Sequence, residues 1–354
     1  MPKKLIHGKV TYHPMDKKNT IFKWGVIGPG TIARSFAKAV AGCPDTCILA
    51  VASHNFDKAK LFAQEYNIPM IYDTYEKLVA NCEIDAIYIS NTNPYHFESI
   101  ITCLNGQKPV LCEKPMTLNI DQMQNVITLA RKNKVFLMEA LWSRFLPIYR
   151  VVDQWIDSGK IGEILMVKAD FGFRRPEWKE NARHIDPQNG GGALLDVGVY
   201  NIALACKYLG NNPIETVSCL TKFHTGTDDK SVVILRYANE KMAVLTNSLN
   251  VMMPHDAEIL GSEGSIILPF HWRGQKATLL NYDQPFYPRI IDSSEKDFEG
   301  QNGYQYEIIH AMTCIREGMA ESPMMTLEDS YSICKITTEV RKAWGIRYPG
   351  FFGE

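Results

Sequence analysis

No apolar run in this sequence approaches the ~20 residues needed to cross a bilayer. The first 20 residues carry Lys3, Lys4, Lys9, Lys17 and Lys18 with no apolar stretch behind them, so they do not read as a secretory signal. Charge of one sign is lacking as well. With 38 basic and 39 acidic residues the net charge is −1, which gives no reason to expect a nucleic-acid or membrane surface. Cysteine pairing is missing too: the nine cysteines are an odd number, and the closest two, Cys43 and Cys47, have no second pair to complete a zinc set. Most sit in apolar runs, as Cys103 and Cys112 do, so the expectation is buried free thiols in a reducing, cytoplasmic setting. Histidines are scattered, no ligand cluster implies a metal, and there is no internal repeat or low-complexity segment.

What is present is a chain of 354 residues, 45% hydrophobic and 22% charged. That composition belongs to a globular protein, and the length is too great for one ordinary core. The expected division is an extension over 1–21, a dinucleotide-binding domain over 22–145, and a substrate-binding and dimerisation domain over 146–354.

The first domain declares itself at once. Phe22 to Ile27 reads as a strand, Gly28-Pro29-Gly30-Thr31-Ile32-Ala33 follows, and Arg34 to Val40 reads as a helix. This is the dinucleotide fingerprint with alanine at its third small position. Gly28 permits the tight turn, Gly30 lets the backbone approach a pyrophosphate, and Ala33 lets the helix sit close to the sheet. Thr31 and Ile32 stand in the turn just before the helix, whose free N–H groups suit an anion. The second strand, Cys47 to Ser53, ends where NAD-binding chains carry an acidic residue for the ribose, ~20 residues past the fingerprint. Ser53 stands there instead, followed by His54 and, a turn later, Lys58. A hydroxyl, an imidazole and an ammonium accept a 2′-phosphate that a carboxylate would repel. NADP is therefore favoured over NAD, with Asp57 close enough to keep NAD open.

Strands and helices then alternate through six strands to Glu139, the pattern of a parallel, doubly wound Rossmann sheet. Thr92, Asn93 and His96 leave the fourth strand at the edge that also carries Gly28. Pro109 to Cys112 is a buried strand that delivers Glu113-Lys114-Pro115 to the same edge, where ligands bind in open α/β sheets. Pro115 keeps Lys114 out of the helical region. Glu113 and Lys114 thus join the cofactor-cleft candidates, and Lys114 is a fixed ammonium beside the cleft.

After Glu139 the pattern changes. Ile164 to Phe173, Ile214 to Phe223, Ser231 to Tyr237, Met242 to Leu249, Asp256 to Leu260 and Ser265 to Leu268 are strand-like, which points to a large, mostly antiparallel sheet in an α+β domain. Within it, Gly190 to Leu204 is a glycine loop running into a helix. Asp196 and Tyr200, four apart, share a face near its start. Oxidising an alcohol needs a group that takes the hydroxyl proton while a nicotinamide takes the hydride. Tyr200 suits that role if a cation such as Lys114 lowers its pKa, with Asp196 orienting it or a substrate hydroxyl. A dipole-stabilising Asp196 and a core Tyr200 are the plain alternative.

The fingerprint, Glu113-Lys114-Pro115 and the glycine-led Asp196-x-x-x-Tyr200, in this order and spacing, resemble the glucose-fructose oxidoreductase/inositol dehydrogenase/MocA family over Phe22 to Pro349. Gly261-Ser262-Glu263-Gly264, Gly303-Tyr304-Gln305-Tyr306-Glu307 and Tyr348-Pro349 add to the likeness. Many members have histidine where this chain has Tyr200. Tyrosine there, with Glu139 to Phe145 and Phe171-Gly172-Phe173-Arg174, is similar to the branch holding dimeric dihydrodiol dehydrogenase and xylose dehydrogenase. The resemblance implies catalytic Lys114 and Tyr200, an assisting Asp196, a cis Lys114-Pro115 peptide, NADP, and a homodimer formed through the open sheet. His54 departs from it, since NADP-using relatives often have arginine there. Substrate candidates are Trp142, Arg144, Arg174 and Asp196, and Trp178, His184, Trp272 and Tyr304 are further residues able to reach the cleft. The expected activity is NADP-dependent hydride transfer to or from a sugar, cyclic polyol or trans-dihydrodiol. The alternatives are an NAD-dependent inositol or keto-sugar dehydrogenase and a non-catalytic redox sensor.

Overall fold

The computed structural model describes residues 21–174, 182–283 and 288–348. The expected extension, Trp178 and Pro349 fall outside them, Ile21 excepted. The first unit runs β1 (Phe22–Ile27), α1 (Thr31–Gly42), β2 (Thr46–Ala52), α2 (Phe56–Tyr66), β3 (Met70–Tyr72), α3 (Tyr75–Val79), β4 (Ala86–Ile89), α4 (His96–Asn105), β5 (Val110–Glu113), α5 (Ile120–Asn133) and β6 (Leu137–Ala140). Its six strands pair in the order β3-β2-β1-β4-β5-β6, every pairing parallel. Strands β4, β5 and β6 are buried at every position, as strands covered on both faces must be. The order reverses between β1 and β4, so a crevice opens beyond their carboxyl ends.

The second unit runs α6 (Pro147–Asp157), β7 (Ile164–Gly172), α7 (Val199–Leu209), β8 (Glu215–Lys222), β9 (Asp228–Arg236), β10 (Met242–Ser248), β11 (Ala257–Gly261), β12 (Gly264–Leu268), β13 (Lys276–Asn281), β14 (Arg289–Glu295), α8 (Gln305–Arg316) and α9 (Leu327–Trp344). Its eight strands pair as β14-β13-β12-β11-β7-β10-β9-β8, antiparallel except for β7 with β10. Strands β13 and β14 extend the sheet beyond the sequence expectation. Strand β14 is almost wholly exposed, so it carries no buried alternation to read. Leu165, Val217 and Ile290 remain exposed on strands of this sheet.

Helix α7 packs across β7 and β10. The stretch Pro187–Leu209 that contains it has the length and apolar content of a membrane span, yet 78% of that window lies buried inside the fold, as a core helix does. The closing helices return to the first unit, α8 against α1 and α9 against α5. One apolar cluster accordingly runs from Trp24, Phe36 and Tyr88 through Phe145 to Val167, Leu235 and Ile259, joining the two sheets. The nine cysteines are all unpaired thiols and six of them are buried.

Candidate active site

The crevice at the carboxyl edge of the first sheet is a cleft of about 580 Å³ closed on its far side by residues of β7, the α7 region and Trp272. Gly28 ends β1 with φ +85°, and a Cβ there would lie 2.4 Å from the backbone nitrogen of Asn91, so no other residue fits the turn. A Cβ on Gly30 would meet nothing nearer than 4.0 Å, because that face looks into the open cleft. Gly30 also caps α1 without any side-chain bond, which leaves the first N–H groups of the helix available to an anion. Thr31 and Ile32 line the cleft beside it, while Ala33 is fully buried beneath the helix. These residues fit a dinucleotide pyrophosphate.

Ser53, His54 and Lys58 come together at one end of the cleft. Asn55 caps α2 by accepting from the Lys58 N–H at 3.0 Å, which fixes that turn, and His54 packs on the Tyr75 ring with centroids 4.3 Å apart. The Asp57 side chain is 88% exposed and pairs with Lys60 at 3.7 Å, and it does not line the cleft. The Asp57 carboxylate is therefore turned to solvent.

At the other end Lys114, Asp196 and Tyr200 converge. The Lys114 Nζ donates to the Asp196 carbonyl at 2.6 Å and lies 3.4 Å from Asp196 Oδ1 and 5.1 Å from the centre of the Tyr200 ring. The Lys114-Pro115 peptide is cis. Burial would raise the Asp196 carboxyl, but Lys114, His184 and Arg183 outweigh it and hold the group below its usual value. Glu113 lines the cleft and accepts from the Tyr88 hydroxyl at 2.5 Å, and burial raises it above the ordinary carboxylate range. Trp142 donates its indole N–H to the Tyr200 oxygen at 3.1 Å. Among the described residues nothing accepts the Tyr200 hydroxyl proton, so that proton is available to a ligand. The expected lowering of the Tyr200 pKa does not occur in the protein alone. Burial, with Glu113 and Asp196 adding to it, pushes the phenol well above its ordinary value, against the Trp142 bond. Lys114 lies over the ring face and turns its hydrogen bond to Asp196.

Residues 22–141 match the oxidoreductase family with an NAD-binding Rossmann fold, and residues 149–267 match the Gfo/Idh/MocA C-terminal domain. The chain belongs to the Gfo/Idh/MocA oxidoreductase family. It is 34% identical over 330 residues to the trans-1,2-dihydrobenzene-1,2-diol dehydrogenase of Xenopus tropicalis, covering 92% of this chain and 99% of that one. The human enzyme of that name is 31% identical over 330 residues, covering 92% and 98%. Among solved structures, the 3-ketoreductase KijD10 of Actinomadura kijaniata, in complex with NADP and TDP-benzene, superposes with a TM-score of 0.79 at 26% identity, covering 91% and 97%. Levoglucosan dehydrogenase in complex with NADH shares the fold, with a TM-score of 0.82 at 17% identity over 92% and 97%. The protein is thus an NAD(P)-dependent oxidoreductase acting between alcohol and carbonyl groups.

Several expected site residues of this family member sit elsewhere than in the cleft. His96 is fully buried behind it, between the carbonyls of Pro115 (2.9 Å from Nδ1) and Asn91 (3.1 Å from Nε2), and burial pushes its imidazole down to about 4. It braces two cleft loops and does not line the cleft. Arg144 is buried, donates to the Ala203 carbonyl at 3.2 Å and does not line the cleft. Trp142 stacks on Tyr304 at 4.8 Å and does not line the cleft itself, meeting it through its bond to Tyr200 and an edge contact with Trp272 at 6.1 Å. Arg174 is exposed and pairs with Asn250. The strand alternates, so Phe171 and Phe173 face the cleft and Arg174 does not. Thr92 and Asn93 do line it, as does Trp272, which stacks on Phe171 at 4.8 Å. Phe171, Phe173, Arg183, Tyr75 and Tyr95 are cleft residues the sequence reading did not select. For the two phenylalanines the i, i+2 spacing was the available signal. Among the described residues no group of three or more His, Cys, Asp or Glu side chains is placed to hold a metal.

Asp228 sets the start of the helical segment that carries Asp196 and Tyr200. Fully buried, it accepts from the Leu194 N–H at 2.6 Å, just ahead of a π-helical turn over Leu194–Gly198. Gly192, at φ +121°, makes room for it, since a Cβ there would lie 2.2 Å from Asp228 Oδ1. Burial pushes the Asp228 carboxyl up to about 6, against the Leu194 bond and Arg341. A folded-state pKa above the unfolded one gives stability that is full below the unfolded pKa and lost as pH rises through about 6. Asp228→Asn, which keeps an oxygen for Leu194, should therefore stabilise the protein at pH 8 by at most on the order of 3 kcal/mol and lose that gain by pH 4. Thermal unfolding of both forms across that range reads the effect.

Proposed function

We propose that this oxidoreductase uses NADP and carries hydride between the nicotinamide and a secondary alcohol or ketone of a cyclic diol or sugar, with Tyr200 as acid/base. The observation that carries this reading is the meeting of Lys114, from the first sheet, with Asp196 and Tyr200, from the second unit, inside one cleft. The nicotinamide supplies the hydride chemistry when bound. Lys114 polarises the reacting oxygen, Tyr200 gives or takes its proton, and Asp196 holds Lys114 in place and bonds a neighbouring hydroxyl. The cleft wall of Phe171, Phe173 and Trp272 is aromatic, which suits a diol carried on a flat apolar ring, and full-length relatives are dihydrodiol dehydrogenases. Arg183, Asn93 and Asp196 on the same cleft support a second reading, a sugar substrate. A panel of dihydrodiols, pentoses, hexoses and inositols with NADP⁺ separates the two. Turnover of none of them would overturn both.

The preference for NADP rests on Ser53, His54 and Lys58 with Asp57 turned away. Ser53→Asp combined with Lys58→Glu should shift the ratio of NADPH to NADH affinity toward NADH by at least ~10-fold, that is ~1.4 kcal/mol. Fluorescence titration with each cofactor measures it without any substrate. An unchanged ratio would place the 2′-phosphate elsewhere. A homodimer formed through the second sheet, where Leu165, Val217 and Ile290 are exposed, in the cytoplasm, completes the proposal.

A further inference from the structure

Lys114 and Asp196 belong to different units, so the distance between them must be set by something that touches both. Leu118 lies four residues past Lys114, and Arg341, on α9 and fully buried, donates its Nη2–H to the Leu118 carbonyl. The Arg341 guanidinium carbon lies 4.9 Å from the centre of the Tyr348 ring. Tyr348, 2% exposed, donates its hydroxyl to the Gly191 carbonyl at 2.6 Å. The Gly192 carbonyl then accepts from the Asp196 N–H at 3.1 Å, and the Asp196 carbonyl accepts from Lys114 at 2.6 Å. The contacts close a ring: Lys114, Leu118, Arg341, Tyr348, Gly191-Gly192, Asp196 and back to Lys114.

We propose that Arg341 and Tyr348 form a strut from the end of the chain that fixes the separation of Lys114 from the helix carrying Asp196 and Tyr200. They are positioning residues, because neither touches the cleft. A guanidinium and a phenol taken wholly out of water hold two carbonyls from two loops, one on each side of the site. Burying a charge is costly unless it is well bonded, and apolar residues would fill the space at lower cost if packing alone mattered. Direct packing agrees with the arrangement: a Cβ on Gly190 would sit 3.1 Å from Leu118 and 3.3 Å from Asn93, so the glycine loop rests on the lysine loop where the strut joins them. Hydride transfer depends steeply on such placement, since a shift of ~1 Å can cost ~100-fold.

The strut rests on the catalytic roles given above, and the test separates the two. Tyr348→Phe keeps the ring on Arg341 and removes only the hydroxyl to Gly191. In the full-length protein, kcat for alcohol oxidation with NADP⁺ should fall ~10-fold while the KM for the alcohol and the Kd for NADP⁺ stay within about twofold. Amide exchange of residues 191–196 should rise ~10-fold, with β1 and β4 unchanged. Arg341→Lys, which keeps the charge and loses the planar stack, should give the same split. Wild-type kcat together with unchanged exchange at 191–196 in Tyr348→Phe would overturn the strut, as would a rise in exchange spread evenly over the chain. If the wild-type protein turns over no substrate, the catalytic reading fails, and the exchange measurement still decides the strut.

Discussion

Replacing Lys114 with methionine is expected to lower turnover by at least ~100-fold while NADPH still binds. Methionine keeps the length and the buried stem and removes only the ammonium. That ammonium makes an ion pair across the site, 3.4 Å to Asp196 Oδ1, and its stronger bond, 2.6 Å, goes to the Asp196 carbonyl. Without it the reacting oxygen of the proposed reaction would lose its polarising charge, and Asp196 would lose the strongest of the cations that hold its carboxyl down. The pyrophosphate end, built from Gly28, Gly30 and the start of α1, is untouched, so cofactor titration should stay near the wild-type curve. A near-normal kcat in this variant would take the lysine out of the chemistry and leave it a structural tie between the two units.

How far the sequence carried this picture depends on the range of the interaction. The turn at Gly28 and the alternation of strands and helices are local, and they read correctly because each rests on a few adjacent residues. The second sheet's strands were mostly legible one by one, but its order was not. The parallel pairing of β7 with β10 joins Met166 to Met242, and no periodicity links segments so far apart. The cleft's far wall shows the same divide. Phe171 and Phe173 share a face by simple alternation, yet choosing which face meets the cleft needs the sheet. Arg144 and His96 are ionisable residues near motif positions, and both are spent on carbonyls inside the fold. Tyr200 illustrates the electrostatic version of this. Its neighbour Lys114 was legible from the motifs, whereas the desolvation that dominates its pKa belongs to the packed interior.

That desolvation gives Tyr200→Phe its expected signature. The phenol is held well above its ordinary value, so at neutral pH it stands protonated, with its oxygen accepting from Trp142 and its proton free for a carbonyl oxygen. Reduction needs the protonated form and should run flat with pH until the phenol ionises. Oxidation needs the ionised form, so its rate should climb with pH through the alkaline range. Removing the hydroxyl should cost at least ~100-fold in both directions and abolish the alkaline climb of whatever oxidation remains. It should also leave the buried Trp142 N–H without its acceptor, at ~1–3 kcal/mol of stability, which thermal unfolding reads separately from rate. A variant that lost stability but kept both its rate and its alkaline climb would show that Tyr200 serves the core, and that the proton travels by another group.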